Sequence, residues 1–231
     1  MKLHIYGDSI LKMVYPDVTG RYRSLAGQYE QRAREEFGIA IENRAHFGYT
    51  SARGLQLLER DLSRGLQCTH ALLGYGGNDS DYDWDAISRD PTGEYAAKES
   101  IAGFRENMKR MVQLLRSAGV QPMLMDLPPV HGERYFETLS HRGERSPERI
   151  LSWLGETAVI SRVQEAYSLA VTCLAGELDL PLVEIRSGFL TTRDYPALMS
   201  QDGIHPSPKG YELLYRQLCA QLRGIALAPA A

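Results

Sequence analysis

Leu3-His4-Ile5-Tyr6-Gly7-Asp8-Ser9 is the stretch on which the reading of this chain turns. A short apolar run predicts a buried strand, and Gly7 lets the chain turn tightly at its end. Ser9 then opens the next segment with its own N–H unpaired, available to a negatively charged oxygen. Open α/β sheets hold their ligands at the carboxyl ends of strands, so the position singles out Ser9. Taken alone, the tripeptide also fits an ordinary helix-capping serine.

Further along, residues 39–42, 70–73, 122–125 and 182–185 are similar short apolar runs. Between them, residues 21–37, 50–64, 99–118, 159–178 and 207–223 carry apolar side chains at spacings of three and four, the period of amphipathic helices. Strand and helix in alternation predict the α/β class, a mostly parallel sheet with helices on both faces. Gly38 and Gly119 stand as helix stops, and Thr50 or Ser51 can cap the helix after the second strand. Residues 80–98 and 128–158 are longer than α/β connections need and are expected to be binding loops or lids.

The chain has 231 residues, which at about 150 per domain suits one domain, residues 1–231, with those two insertions. Its 26 basic and 29 acidic side chains leave a net charge of -3. That balance lacks the concentrated positive field a nucleic acid demands. Cys68, Cys173 and Cys219 are far apart and unclustered, which predicts small buried thiols and neither a zinc site nor a redox pair. No cofactor or metal is expected. Asp8 interrupts the N-terminus before any signal-like apolar run, and no later run nears the ~18 residues of a membrane span, so a cytoplasmic protein without stable membrane association is expected. The small-residue tail 226–231 is expected to fray.

Three more segments bear chemistry. Gly74-Tyr75-Gly76-Gly77-Asn78-Asp79 ends the third strand, where the glycines allow close backbone approach and Asn78 offers a neutral amide donor. As a dinucleotide loop it lacks the third glycine, and Asp79 would repel a pyrophosphate. Asn43-Arg44-Ala45-His46-Phe47-Gly48 follows the second strand, and Gly48 can turn an N–H toward the same crevice. Asp202-Gly203-Ile204-His205 places a carboxylate three residues before an imidazole, within reach of Nδ1–H, leaving Nε2 free as a base. Together they supply a nucleophile, an oriented base and donors for an oxyanion.

In this combination and order the chain resembles the SGNH hydrolases, also called GDSL-type esterases and lipases. The resemblance implies that Ser9 is the nucleophile, that Asp202 and His205 complete a triad, and that the Ser9 and Gly48 N–H groups and the Asn78 amide form the oxyanion hole. It also implies a flavodoxin-like three-layer α/β/α sandwich with five parallel strands, and an acyl-enzyme route to a carboxylic acid from a small-molecule ester. Small acyl or acetyl esters are the default expectation, with thioesterase or lysophospholipase action as variants. His46, Tyr75, Trp84 and His131 are expected to face the substrate. Two rival readings are a non-catalytic module holding a carbohydrate or lipid head group, and a phosphate-binding flavodoxin-like protein, which the missing phosphate loop opposes.

Overall fold

Side chains alternate along a strand, and that alternation sorts this molecule into layers. In a computed structural model, which describes residues 1–227, β1 (Lys2–Gly7) sends Leu3 and Ile5 to one face and Tyr6 to the other. The chain continues through β2 (Val14–Pro16), β3 (Tyr22–Ser24), α1 (Ala26–Phe37), β4 (Ala40–Asn43), α2 (Ser51–Ser63), β5 (His70–Gly74) and α3 (Trp84–Arg89). It then forms α4 (Ile101–Ser117), β6 (Gln121–Met125), α5 (Gly132–Ser140), α6 (Pro147–Leu154), α7 (Ala158–Glu177), β7 (Leu182–Val183), α8 (Arg186–Leu190), a 3-10 turn (Tyr195–Leu198) and α9 (Pro208–Leu227).

Five parallel strands lie in the order β4-β1-β5-β6-β7. Counted along the chain this is 2-1-3-4-5, the flavodoxin-like order, in which the connections reverse direction between β1 and β5. Leu3, Ile5, Leu72 and Met123 pack against α1 and α9 through Tyr29, Tyr211 and Leu214. Tyr6, Leu73 and Leu124 pack on the opposite face against α2, α4 and α7 through Leu58, Met108 and Val171. The result is the expected α/β/α sandwich. At the end of β1 a Cβ on Gly7 would lie 2.8 Å from the Gly74 carbonyl oxygen, so only glycine lets β1 and β5 finish side by side.

Elsewhere the structure corrects the sequence reading. The first helix begins at Ala26, not residue 21, because residues 14–24 form a hairpin. Asp17 closes its turn by accepting the N–H groups of Thr19 and Arg21, and Gly20 adopts φ +77°. The last strand stops at Val183 because the Asp126 carboxylate takes the Ile185 N–H at 2.7 Å. Cys173 is exposed and Cys68 half-buried, so of the three thiols only Cys219 is buried. The α9 helix runs to Leu227, and the tail from 228 onward lies outside the described residues.

The two insertions fold on each other. α3 from the first, α5 and α6 from the second and the start of α7 enclose a third apolar cluster around Trp84, Ile87, Phe136, Leu139, Ile150 and Ile160. Arg145 and Arg149 tie this region together. Arg145 grips Asp85 with two hydrogen bonds of 2.7 and 2.9 Å, and Arg149 reaches the Arg89 carbonyl. Among the described residues no helix is long and apolar enough to cross a membrane, and no cluster of His, Cys, Asp and Glu is placed to hold a metal.

Candidate active site

The reversal point of the strand order creates a crevice at the carboxyl ends of β1 and β5, and both deliver polar side chains into it. Ser9 follows β1 in a tight turn, where Asp8 accepts the Ile10 N–H at 2.9 Å and the Ser9 carbonyl accepts the Val14 N–H at 3.0 Å. Ser9 is 7% exposed. Its Oγ lies 2.8 Å from His205 Nε2, and His205 Nδ1 lies 2.6 Å from Asp202 Oδ2. With the imidazole proton on Nδ1, the ring donates to Asp202 and Nε2 accepts from the serine hydroxyl, so one tautomer satisfies both contacts.

The turn bearing Asp202 and His205 is held from several sides. Asp202 Oδ1 also accepts the N–H groups of Ile204 and His205, at 3.2 and 3.1 Å. Burial alone would raise the Asp202 carboxyl, but the hydrogen bonds and charge of His205 outweigh it and hold the group below the usual carboxylate range. Gly203 has φ +78°, and a Cβ there would sit 2.4 Å from the Tyr135 nitrogen of α5. The second insertion therefore docks on this turn: the His131 N–H donates to the Gly203 carbonyl at 2.8 Å, and Arg134 donates to the carbonyls of Pro196 and Met199.

On the β5 side, Asn78 Nδ2 donates to the Tyr49 carbonyl at 3.2 Å and, at 3.4 Å, to Asp8 Oδ2. The next residue, Asp79, is fully buried and accepts the Ser51 N–H and hydroxyl at 2.9 and 2.5 Å. It thereby caps α2 from outside the helix, a task the sequence assigned to Thr50 or Ser51. Burial raises the Asp8 carboxyl to about 7 and the Asp79 carboxyl to about 6. Gly48, with φ +74°, lies between Tyr49, whose carbonyl Asn78 holds, and Phe47, whose ring stacks on His205 with centroids 5.9 Å apart.

Beyond Ser9 opens a chamber that Asn78, Leu127, Val130, Trp84, Ile160 and His205 help to line. Of the four residues expected to face the substrate, Trp84 lines it and three do not. Tyr75 is fully buried in the core against Gly54, where an added Cβ would fall 2.3 Å from the Tyr75 ring. His46 stacks on Tyr49 at 4.6 Å instead. His131 caps α5 through Nδ1 and stacks on Tyr195. An apolar-flanked glycine loop or a histidine in an insertion reads alike whether its ring turns in or out, since tertiary packing selects the rotamer.

The structure also brings in residues the sequence reading passed over. Tyr22, on the hairpin, donates to Asp202 Oδ2 at 3.3 Å, sets its ring edge-on to His205 at 5.5 Å, and accepts from Arg142. The signal was present in Pro16-Asp17-Val18-Thr19-Gly20, a turn signature between two short β-prone runs.

Comparison with known proteins follows the same lines. The family model described as GDSL-like Lipase/Acylhydrolase matches residues 5–213. An isoamyl acetate-hydrolyzing esterase of Saccharomyces cerevisiae is 25% identical over 223 residues, covering 94% of this chain and 84% of its own. A GDSL esterase/lipase of Oryza sativa subsp. japonica is 24% identical, covering 95% and 76%. The crystal structure of a lipase/acylhydrolase from Enterococcus faecalis superposes with a TM-score of 0.66 at 21% identity, covering 100% of this chain and 98% of its own.

Proposed function

The chain belongs to the GDSL-like lipase/acylhydrolase family and is a carboxylic-ester hydrolase, and from that premise we propose that it cleaves small acyl or acetyl esters through Ser9, His205 and Asp202. The observation that carries this reading is the unbroken line of contacts from the Ser9 hydroxyl through both nitrogens of His205 to Asp202, at 2.8 and 2.6 Å. A buried hydroxyl hydrogen-bonded to a free imidazole nitrogen, itself oriented by a carboxylate, is an activated nucleophile.

In the proposed reaction Ser9 Oγ bonds to the ester carbonyl carbon as its proton passes to His205 Nε2. Asp202 stabilises the imidazolium. The carbonyl electron pair moves onto oxygen, which takes hydrogen bonds from the N–H groups of Ser9 and Gly48 and from Asn78. The amide proton for this bond is the one now in the long contact with Asp8. Collapse breaks the bond to the alcohol oxygen, which leaves with the proton from His205. Water then attacks the acyl-serine, gives its proton to His205, and Ser9 Oγ recovers a proton as the carboxylic acid departs.

The same reading takes residues 1–231 as one catalytic domain and the substrate as a free small ester met in the cytoplasm. The yeast relative, named for hydrolysing isoamyl acetate, supports an acetyl ester of a small alcohol. A fluorophosphonate should add covalently to Ser9, seen by intact mass, and p-nitrophenyl acetate should be turned over. Absence of both would leave the non-catalytic binding module as the better description.

A further inference from the structure

The chamber beside Ser9 is walled in part by side chains from the insertions, Trp84, Val130 and Tyr135 among them. We infer that it receives the acyl part of the substrate, and that the Trp84 ring, pinned by Asp81, sets the longest acyl chain the enzyme accepts. This rests on the ester-hydrolase reading above and adds to it which side of the ester is measured, and by what.

The assignment of acyl to chamber follows from chemistry. The acyl group stays bonded to Ser9 through the intermediate, whereas the alcohol must leave next to His205, which protonates it. Phe47, 55% exposed, and Tyr22, 39% exposed, pack on His205 outside the lining of the chamber, so this flank opens to solvent. The chamber lies on the other side, over Asn78 and the ends of β5 and β6, and Trp84 and Ile160, 4% and 7% exposed, line it. A mostly apolar recess walled by Trp84 and Ile160 suits a group that remains attached, and an open rim suits one that departs.

The wall is rigid because one carboxylate holds it. Asp81 Oδ1 accepts the Trp84 Nε1–H at 2.7 Å and the Tyr135 hydroxyl at 2.9 Å, while Oδ2 takes Lys98 Nζ at 2.6 Å. Trp84 is further boxed by Tyr82, edge-on at 5.4 Å, and by Trp153 at 6.3 Å. A ring so held does not swing aside for a longer guest. The cavity volume of the chamber is about 70 Å³. An apolar cavity that holds one benzene measures roughly 150 Å³, so chains of about two to four carbons fit and longer ones meet Trp84.

The test is kcat/KM over p-nitrophenyl acetate, butyrate, hexanoate and octanoate, beside acetyl esters of ethanol, isoamyl alcohol and benzyl alcohol. Fluorophosphonate labelling of Ser9 is followed in every variant. The native enzyme should prefer acetate or butyrate and fall at least tenfold by octanoate. Trp84→Ala should raise the octanoate-to-butyrate ratio at least tenfold, since each methylene newly buried is worth roughly fourfold. Val130→Phe, which narrows the chamber while leaving the Asp81 cluster whole, should lower the butyrate-to-acetate ratio, and Trp84→Phe, a smaller ring in the same place, should raise the octanoate-to-butyrate ratio and carries the Trp84 test if Trp84→Ala does not fold. A labelled, active enzyme whose acyl ratios stay put in these variants overturns the inference, as does a change confined to the alcohol series. An enzyme that neither labels nor turns over any ester overturns the hydrolase reading itself.

Discussion

Two regions of this molecule meet at Ser9 and are built differently. The rim of the parallel sheet is an extension of the main core: Ser9 and Asn78 each stand two to four residues beyond a strand whose apolar side chains are buried on both faces. The insertion cluster around Trp84 and Phe136 is smaller and lies off the sheet, and polar ties such as Arg145–Asp85 and Asp81–Trp84 lock its parts together. The first region carries Ser9 and Asn78, while the turn bearing Asp202 and His205 leans on the second insertion through Gly203. The second walls the chamber beside Ser9. On the reading proposed above, the nucleophile and one oxyanion donor belong to the sheet rim, and selection belongs to loops that can change length and sequence without moving a strand.

The division is tested by asking whether variants in the rim hit all esters alike. Ser9→Ala should cost about 10⁴ to 10⁶ in kcat on every ester in the series, measured by steady-state kinetics, with only oxyanion and binding contributions left. A loss that varied with acyl length would break the division. Asn78→Ala should cost roughly 10² to 10³ in kcat, again uniformly, with KM little changed. Leu72→Ala, in the fully buried face of β5, should cost about 2–5 kcal/mol in urea denaturation while the acyl-length ratios stay as they were.

Asp8 sharpens the comparison from the side of stability. Its folded value of about 7 stands above the roughly 4 of an unfolded chain. The group therefore favours the fold fully below about pH 4, and that contribution is lost as pH rises through 7. Asp8→Asn, which cannot ionise, should lose less stability than the native chain between pH 5 and 8, read as the difference in Tm across that range. The smallest effect expected is from Tyr22→Phe. Removing one 3.3 Å hydrogen bond from Asp202, which keeps its other partners, should lower kcat less than tenfold, with no change in acyl preference.

Much of the site was legible because its parts are locally encoded. Gly7-Asp8-Ser9, Gly76-Gly77-Asn78-Asp79 and Asp202-x-x-His205 each set a residue type at a strand end or within one turn, and the structure brings Ser9, Asn78, Asp202 and His205 to one crevice. The hairpin was missed because Tyr22 to Ser24 fits the helical period of the residues that follow, while the turn before it was the better guide. Tyr75 and His131 were misplaced because neighbours far along the chain, Gly54 and Tyr195, decide where their rings point.

The amino-acid sequence by itself determined the α/β class, the near positions of the five sheet strands and the residue types of the crevice at Ser9. Those follow from periodicity and short-range turn chemistry, which act over a few residues. Only the tertiary structure decided that Asp79 caps α2, that the second insertion buttresses the His205 turn through Gly203, and that Trp84 rather than Tyr75 walls the chamber. These contacts join residues tens of positions apart, and their formation depends on which surfaces the packed sheet leaves to be covered.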